Sequence, residues 1–248
     1  MNYQDINSKT IDRWIEEGWE WGIPIDSETY KNAKNGNWSV LLTPTVPVPK
    51  EWFGDLKGKK ILGLASGGGQ QMPIFTAAGA TCTVLDYSEK QLESERLVAK
   101  REGYEIETVK ADMTKRFPFD DETFDLIFHP VSNDYVKEVI PIFKECYRVL
   151  KKGGTLLSGL SNEINFIVAP DEKTIAYKMP LDPLANEEHR KLLEEEDCGM
   201  QFSHTLSEQI GGQLKAGFIL EDIYDDTNNE GYLHDLNIKT FIATKSRK

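Results

Sequence analysis

Cysteine is scarce in this 248-residue chain: Cys82, Cys146 and Cys198 are all there is. An odd number with no Cys-x-x-Cys pair speaks against a disulfide framework and against a cysteine-based zinc site, and it fits a reducing cytoplasm. Long hydrophobic runs are missing too. No stretch approaches the roughly 18–20 consecutive apolar residues of a membrane-spanning helix, and the opening residues lack the basic-then-apolar order of a signal peptide. The expectation is a cytoplasmic chain with no membrane partner. Positive charge is in deficit, 29 Lys and Arg against 41 Asp and Glu, for a net charge of −12. The basic clusters Lys57–Lys60, interrupted by Gly58, and Lys245–Lys248 are too short to offset it, which argues against nucleic acid as a partner. The four histidines show no metal-ligand spacing, so no metal is expected. No internal repeat or low-complexity tract is visible, and nothing in the composition fixes an oligomeric state.

Tryptophan, by contrast, is concentrated. All five (Trp14, Trp19, Trp21, Trp38 and Trp52) fall in the first 52 residues, which reads as a Trp-rich appendage over 1–52 ahead of a main domain over 53–248. From residue 59 short apolar runs alternate with helix-like segments, the pattern of β-α-β units and a parallel sheet. Strands are expected at Lys60–Leu64, Thr81–Leu85, Glu105–Lys110, Phe124–His129 and Thr155–Leu160. Helices should run from Gln70 to Ala78, with Gly79 as a left-handed cap, and from Ser88 to Gly103, opened by the capping pair Ser88 and Gln91. The periodic segment 136–150 holds Pro141 inside it, which predicts a short helix and then a second one ended by Gly153-Gly154. Residues 162–205, with Pro170, Pro180, Pro183 and the acidic run Glu194–Asp197, break the alternation and read as an inserted lid. A helix at Leu206–Ala216 and two antiparallel strands, Phe218–Tyr224 and Lys239–Thr244, complete the chain.

The chemistry begins in the strand-loop-helix at 60–78. Gly67, Gly68 and Gly69 remove every Cβ from the turn, so backbone can approach a ligand and the next helix can offer free N–H groups; a purely steric reason for the glycines stands beside this. Asp86 lies at the end of the second strand, 19 residues after Gly67, where a carboxylate accepts hydrogen bonds from ribose hydroxyls. Asp112, after the third strand, places a second acid by the same cleft, suited to an adenine amino group.

With Phe124-Asp125-Leu126-Ile127-Phe128 and Arg148-Val149-Leu150-Lys151-Lys152-Gly153-Gly154, these motifs form a series that resembles the Rossmann-like (class I) S-adenosylmethionine-dependent methyltransferases over residues 59–160, with a compatible tail over 206–245. The resemblance is nearest the small-molecule branch, similar to the quinone-biosynthesis type. It implies a three-layer α-β-α sandwich around a mostly parallel seven-stranded sheet whose last strand is antiparallel, S-adenosyl-L-methionine as cofactor, and a small-molecule acceptor. It further implies that Ala65, Ser66, Gly67, Gly69 and Gln70 hold the methionine end, Asp86 and Tyr87 the ribose and adenine, and Asp112 with Met113 the adenine edge; Gln91 belongs to the same expected contact set. Gly63 stands where the family generally has an acid. His129-Pro130-Val131-Ser132-Asn133 replaces the (Asn/Asp)-Pro-Pro-aromatic tetrad of enzymes that methylate nucleic-acid bases.

For methyl transfer the expected tasks are in-line alignment and, for a protonated nucleophile, proton removal. His129 and His204 are the candidate bases, His129 also facing the cofactor; each has a structural alternative in which the ring only bonds a neighbouring loop. His189 and His234 read as solvent-facing. The segment Ile6–Trp21 is expected to be helical, with Ile6, Ile11, Trp14 and Ile15 on one side, either as an extra packed layer or, with Trp38, as an aromatic wall over the cofactor. Two other functions stay open: a nicotinamide-dependent oxidoreductase, which shares the glycine loop and Asp86 but lacks a Tyr-x-x-x-Lys pair, and a non-catalytic cofactor-binding protein.

Overall fold

The computed structural model describes residues 2–248. Its seven strands are β1 (Lys60–Leu64), β2 (Thr81–Asp86), β3 (Glu107–Lys110), β4 (Phe124–His129), β5 (Leu150–Ser161), β6 (Ile219–Asp226) and β7 (Phe241–Arg247). They form one sheet in the order β3-β2-β1-β4-β5-β7-β6. β1 to β5 pair in parallel, and β7 runs antiparallel between β5 and β6. Successive residues of a strand face opposite sides, so Ile61, Val84, Leu126, Phe128 and Leu157 enter one core while Leu62, Leu64, Leu85, Ile127 and Leu156 enter the other. Both faces are thus covered, as a parallel sheet requires.

The helices follow local signals closely. α1 (Tyr3–Glu16) and α2 (Ser27–Lys34) precede the sheet and open on side-chain caps, Asn2 to the Asp5 N–H and Asp26 to the Thr29 N–H. α3 (Gln71–Ala77) leads into Gly79 at φ +98°, and α4 (Glu89–Glu102) runs from the Ser88 cap to left-handed Gly103. α5 (Ile140–Val149) has Pro141 in its first turn, where a missing N–H costs nothing. The helix expected before it is only a 3₁₀ turn, Asn133–Tyr135. Gly153-Gly154 does not end α5 either. The chain turns extended at Leu150, and the glycine pair lies inside β5, where its register against β4 shifts between Phe124 and Leu126. α8 (Leu206–Ala216) begins with a full capping box, Thr205 and Glu208, and packs against α5.

Two additions sit over the carboxyl ends of the strands. After α1, Trp19 precedes a 3₁₀ turn, Glu20–Gly22, that contains Trp21, and residues 40–48 form a strap tied to the chain beyond β4 by the Val131 N–H to Leu42 O bond (3.2 Å). Ala33, Val40, Leu42, Val48 and Trp52 are part of the main core, where Phe53, Phe75 and Phe128 form a cluster of mutually contacting rings. Ile6, expected on the packed face of α1, is 37% exposed. The insertion carries α6 (Ile164–Ile167) and α7 (Glu187–Glu195), and a short α9 (Tyr232–Asp235) interrupts the loop before β7. Among the described residues no helix is long and apolar enough to cross a membrane, and no cluster suits a metal ion.

Candidate active site

β1 pairs with β2 on one side and with β4 on the other, so the strand order reverses beside it and leaves a crevice at the carboxyl ends. Two adjoining cavities fill that crevice. The smaller, about 120 Å³, is walled by Asp86, Tyr87, Asp112 and Met113 from the sheet side and by Gln4, Asn7, Ser8 and Ile11 of α1. The larger, about 470 Å³, extends under the strap and the insertion. Trp19, Ala65, Gln91, Val131 and Tyr135 line both and form the wall between them.

Backbone conformation sets the loop at the base of this wall. Ala65 sits at φ +46°, a left-handed position that a side chain adopts at some cost, and its N–H donates to Leu85 O at 2.8 Å. Gly67 presses on α4. A Cβ there would lie 2.5 Å from Gln91 Cβ and 3.0 Å from Asp86 Oδ2, while its N–H donates to that same oxygen at 3.2 Å. Ser66, Gly67 and Gln70 line the larger cavity. Gly69 lines neither: its N–H donates to Glu95 and its carbonyl accepts from Ile25. Gln70 also reaches back, donating from Nε2 to Glu20 O (2.8 Å) and Ile23 O (3.0 Å), so the loop holds the Trp19–Trp21 turn in place. At Gly63 a Cβ would come within 2.9 Å of Met72 Sδ; the side chain generally found there is replaced by a methionine packed into its space.

Of the carboxylates beside the loop, Asp86 is buried and Asp112 half-buried. Asp86 accepts from the Gly67 and Ser88 N–H groups, yet burial still pushes its carboxyl up to about 6. Asp112 accepts from the Thr114 N–H at 2.8 Å. Tyr87 donates its hydroxyl to Asp5 of α1 at 2.9 Å. Behind the loop, Glu95 of α4 is fully buried; it accepts the Gly69 N–H at 2.8 Å and leaves Oε2 without a partner. Burial raises its carboxyl to about 8, with nearby Asp86 adding to the rise. An acid raised on folding contributes stability that is present below its unfolded pKa and lost as pH climbs toward the folded value. Wild-type melting temperature is therefore expected to fall from about pH 4.5 to about pH 8, with Asp86 and Asp134 sharing the lower part of the fall, and Glu95→Gln, which keeps an acceptor for Gly69 but no charge, should flatten its upper part, between about pH 7 and about pH 8. Thermal melts of both proteins across this range check it; parallel slopes would assign the loss to other groups.

The two histidines considered as bases do not reach either cavity. His129 is fully buried, its Nδ1 2.9 Å from Leu64 O and its Nε2 2.9 Å from Asn133 Oδ1, and burial lowers its pKa. His204 donates from Nε2 to Val136 O (2.8 Å) and lies near Asn133 O, also lowered by burial. Both hold the turn after β4 in shape, and neither presents a free nitrogen to the cleft. His189 is likewise buried, accepting the Asp182 N–H on Nδ1, because α7 turns that face inward; His234 is exposed. Trp38 packs edge-on against Phe53 and Phe75 and carries Lys50 over its ring, away from both cavities. The aromatic wall is made instead by Trp19 and Trp21, which the glycine loop anchors. One acid was not marked by any motif: Asp134, in the 3₁₀ turn after β4, lines the larger cavity.

Asn7 closes the arrangement from above. It donates to Tyr135 O and Met200 O and accepts the Met200 N–H at 2.7 Å, so one buried side chain of α1 joins the cleft wall to the insertion.

A family model described as a methyltransferase domain matches residues 62–158. A protein of Bacillus subtilis (strain 168), "Uncharacterized methyltransferase YbaJ", is 44% identical over 251 residues, covering 98% of this chain and 97% of its own. A demethylmenaquinone methyltransferase of Clavibacter sepedonicus is 36% identical over 100 residues, 40% of each chain. Among solved structures, an S-adenosylmethionine dependent methyltransferase from Mesorhizobium loti superposes with a TM-score of 0.61 at 19% identity, over 80% of this chain and 95% of its own, a likeness of fold.

Proposed function

This chain belongs to the class I S-adenosylmethionine-dependent methyltransferases, and from that premise we propose that the smaller cavity takes the adenosine of the cofactor and the larger one takes its methionine end together with a small, largely apolar acceptor. The observation that carries the reading is the shared wall: a ribose-suited carboxylate on one side and a cavity of about 470 Å³ on the other meet across Trp19, Ala65, Gln91, Val131 and Tyr135. The residues fit the cofactor. Gln91 Oε1 is buried without a partner at that wall, and Gly67, where any Cβ would collide with Gln91 and Asp86, lets the loop backbone lie directly against both.

In this reading Asp86 accepts the ribose hydroxyls, Asp112 and Met113 meet the adenine edge, and Ala65, Ser66 and Gly67 with Gln91 hold the methionine end. Bound, the cofactor supplies a methyl group made electrophilic by its sulfonium. Trp19 and Tyr135 exclude water from the junction and offer aromatic faces to positive charge. Phe166, Val168, Tyr177 and Leu181 of the insertion, with Leu41 and Pro44 of the strap, shape the acceptor's space and orient it for in-line attack. Partial relatives, a demethylmenaquinone methyltransferase and a ubiquinone biosynthesis O-methyltransferase, support a small acceptor.

Calorimetric titration with S-adenosylmethionine, S-adenosylhomocysteine and NAD tests the cofactor assignment. Binding of the first two and not the third is expected; NAD alone binding would return the nicotinamide reading. Transfer of labelled methyl to a panel of small molecules then separates catalysis from binding alone.

A further inference from the structure

The most unusual group in the larger cavity is Asp134. Its residue is 8% exposed, it lines the cavity, and its Oδ1 has no hydrogen-bond partner. Its backbone is fixed independently, since the Asp134 carbonyl accepts the Phe202 N–H at 2.7 Å. A buried carboxylate oxygen left without a donor is expensive, and a structure that keeps one is incomplete until something donates to it.

The cavity says what that donor is. Among its lining residues there is no Lys, Arg or His, while Glu172 and Glu196 are there besides Asp134. Glu172 is already engaged, accepting the Leu233 N–H at 2.8 Å, and Glu196 lies at the exposed end of α7, so neither competes for a ligand beside Asp134. Tyr135 and Cys198, the other titratable groups close by, carry no positive charge to neutralise it. An anionic acceptor would meet three acids and no cation. A cation would meet the unpartnered Asp134 oxygen in a cavity also lined by the aromatic rings of Trp19, Trp21 and Tyr177.

We propose that the methyl acceptor is an amine with an apolar body, bound as its ammonium against Asp134, which takes up the proton that the nitrogen must lose before it can attack. The proposal rests on the methyltransferase reading above and extends it to the acceptor. Asp134 removes one proton from the ammonium and frees the nitrogen lone pair. That pair forms the new N–CH₃ bond as the S–CH₃ bond of the donor breaks, its electrons staying on sulfur. The products are a methylated ammonium, a neutral thioether and a protonated Asp134, which returns its proton to solvent. Burial raises the Asp134 carboxyl to about 7, with the Ser161 hydroxyl opposing the rise, so the group exchanges a proton near neutral pH.

The test titrates phenethylamine, phenethyl alcohol and phenylacetate into wild type and Asp134→Asn, each saturated with S-adenosylhomocysteine. Asn keeps the shape and removes only the charge, and thermal melts confirm folding. Wild type is expected to bind the amine about tenfold or more tightly than the alcohol or the acid, and the variant to lose that preference while holding S-adenosylhomocysteine unchanged. Equal binding of the three probes, no amine binding at millimolar concentration, or a preference that survives in Asp134→Asn overturns the proposal. Weakened S-adenosylhomocysteine binding in the variant also overturns it, because the carboxylate would then serve the cofactor's own ammonium. Wild type that fails to bind S-adenosylhomocysteine brings down the underlying reading as well. Should the variant not fold, the wild-type order of affinities decides.

Discussion

Alanine at position 67 is expected to weaken S-adenosylmethionine binding by about 100-fold. The added Cβ would lie 2.5 Å from Gln91 Cβ and 3.1 Å from Gln91 C, and α4 cannot retreat from it. The start of that helix is held by the Ser88 cap and by Asp12 of α1, which accepts from Ser88 Oγ at 2.5 Å and from the Lys90 N–H at 3.2 Å. The loop must move instead, by something near an ångström. Doing so carries Ala65 and Ser66 away from the cavity wall and stretches the Gly67 N–H to Asp86 bond that orients that carboxylate. Overpacking of this kind also costs about 1–3 kcal/mol of stability. Calorimetry on Gly67→Ala reads the first effect and thermal melting the second. Unchanged affinity would mean that the cofactor does not lie on this loop.

Gly159→Ala is expected to be the more damaging to stability. Gly159 is an interior residue of β5, where an alanine would ordinarily be harmless or helpful, but the strap crosses it at backbone distance. A Cβ would stand 2.1 Å from Leu42 O, 2.9 Å from Leu42 C and 3.0 Å from Val131 N. All three are main-chain atoms, and two of them belong to the Val131-to-Leu42 hydrogen bond that fastens the strap. Either that bond breaks or the strap lifts and takes Leu41, Leu42, Thr43 and Pro44 out of the cavity wall. We expect a loss of about 3 kcal/mol or more, a fall in melting temperature on the order of 10 °C, with affinity for S-adenosylhomocysteine held within a few-fold if the protein is folded at the assay temperature. A variant as stable as wild type would show that the strap does not pack on β5 as described.

Both glycines illustrate where the sequence speaks plainly and where it does not. Local signals place β4 at Phe124–His129 and α8 at Leu206–Ala216, and they place the caps Ser88 and Gly103, because periodicity and capping are written in neighbouring residues. Gly67 sits in a loop whose composition announces close approach; Gly159 does not, since what it approaches is 117 positions away at Leu42. The motif acids Asp86 and Asp112 emerge from spacing alone and come to line one cavity. His129 misleads because a polar residue at a strand end looks available, and only the fold shows both its nitrogens engaged by Leu64 and Asn133. Glu95 hides among the charges of α4, although its spacing from Gln91 and Val98 puts it on the buried face of that helix, a signal that periodicity could have found. Asp134 carries no local signal at all. Its meaning comes from the lack of positive charge around it in three dimensions, in a cavity closed by the strap and the insertion.

The most direct test of the bipartite site is a crystal structure with S-adenosylhomocysteine bound. It should show the ribose hydroxyls on the Asp86 carboxylate, the adenine beside Asp112 and Met113 under α1, and the thioether sulfur at the wall formed by Trp19, Val131 and Tyr135, opening into the larger cavity. Adenosine lodged in the larger cavity, or a ribose that does not touch Asp86, would contradict the division of the cleft into an adenosine half and a half shared by the methionine end and the acceptor.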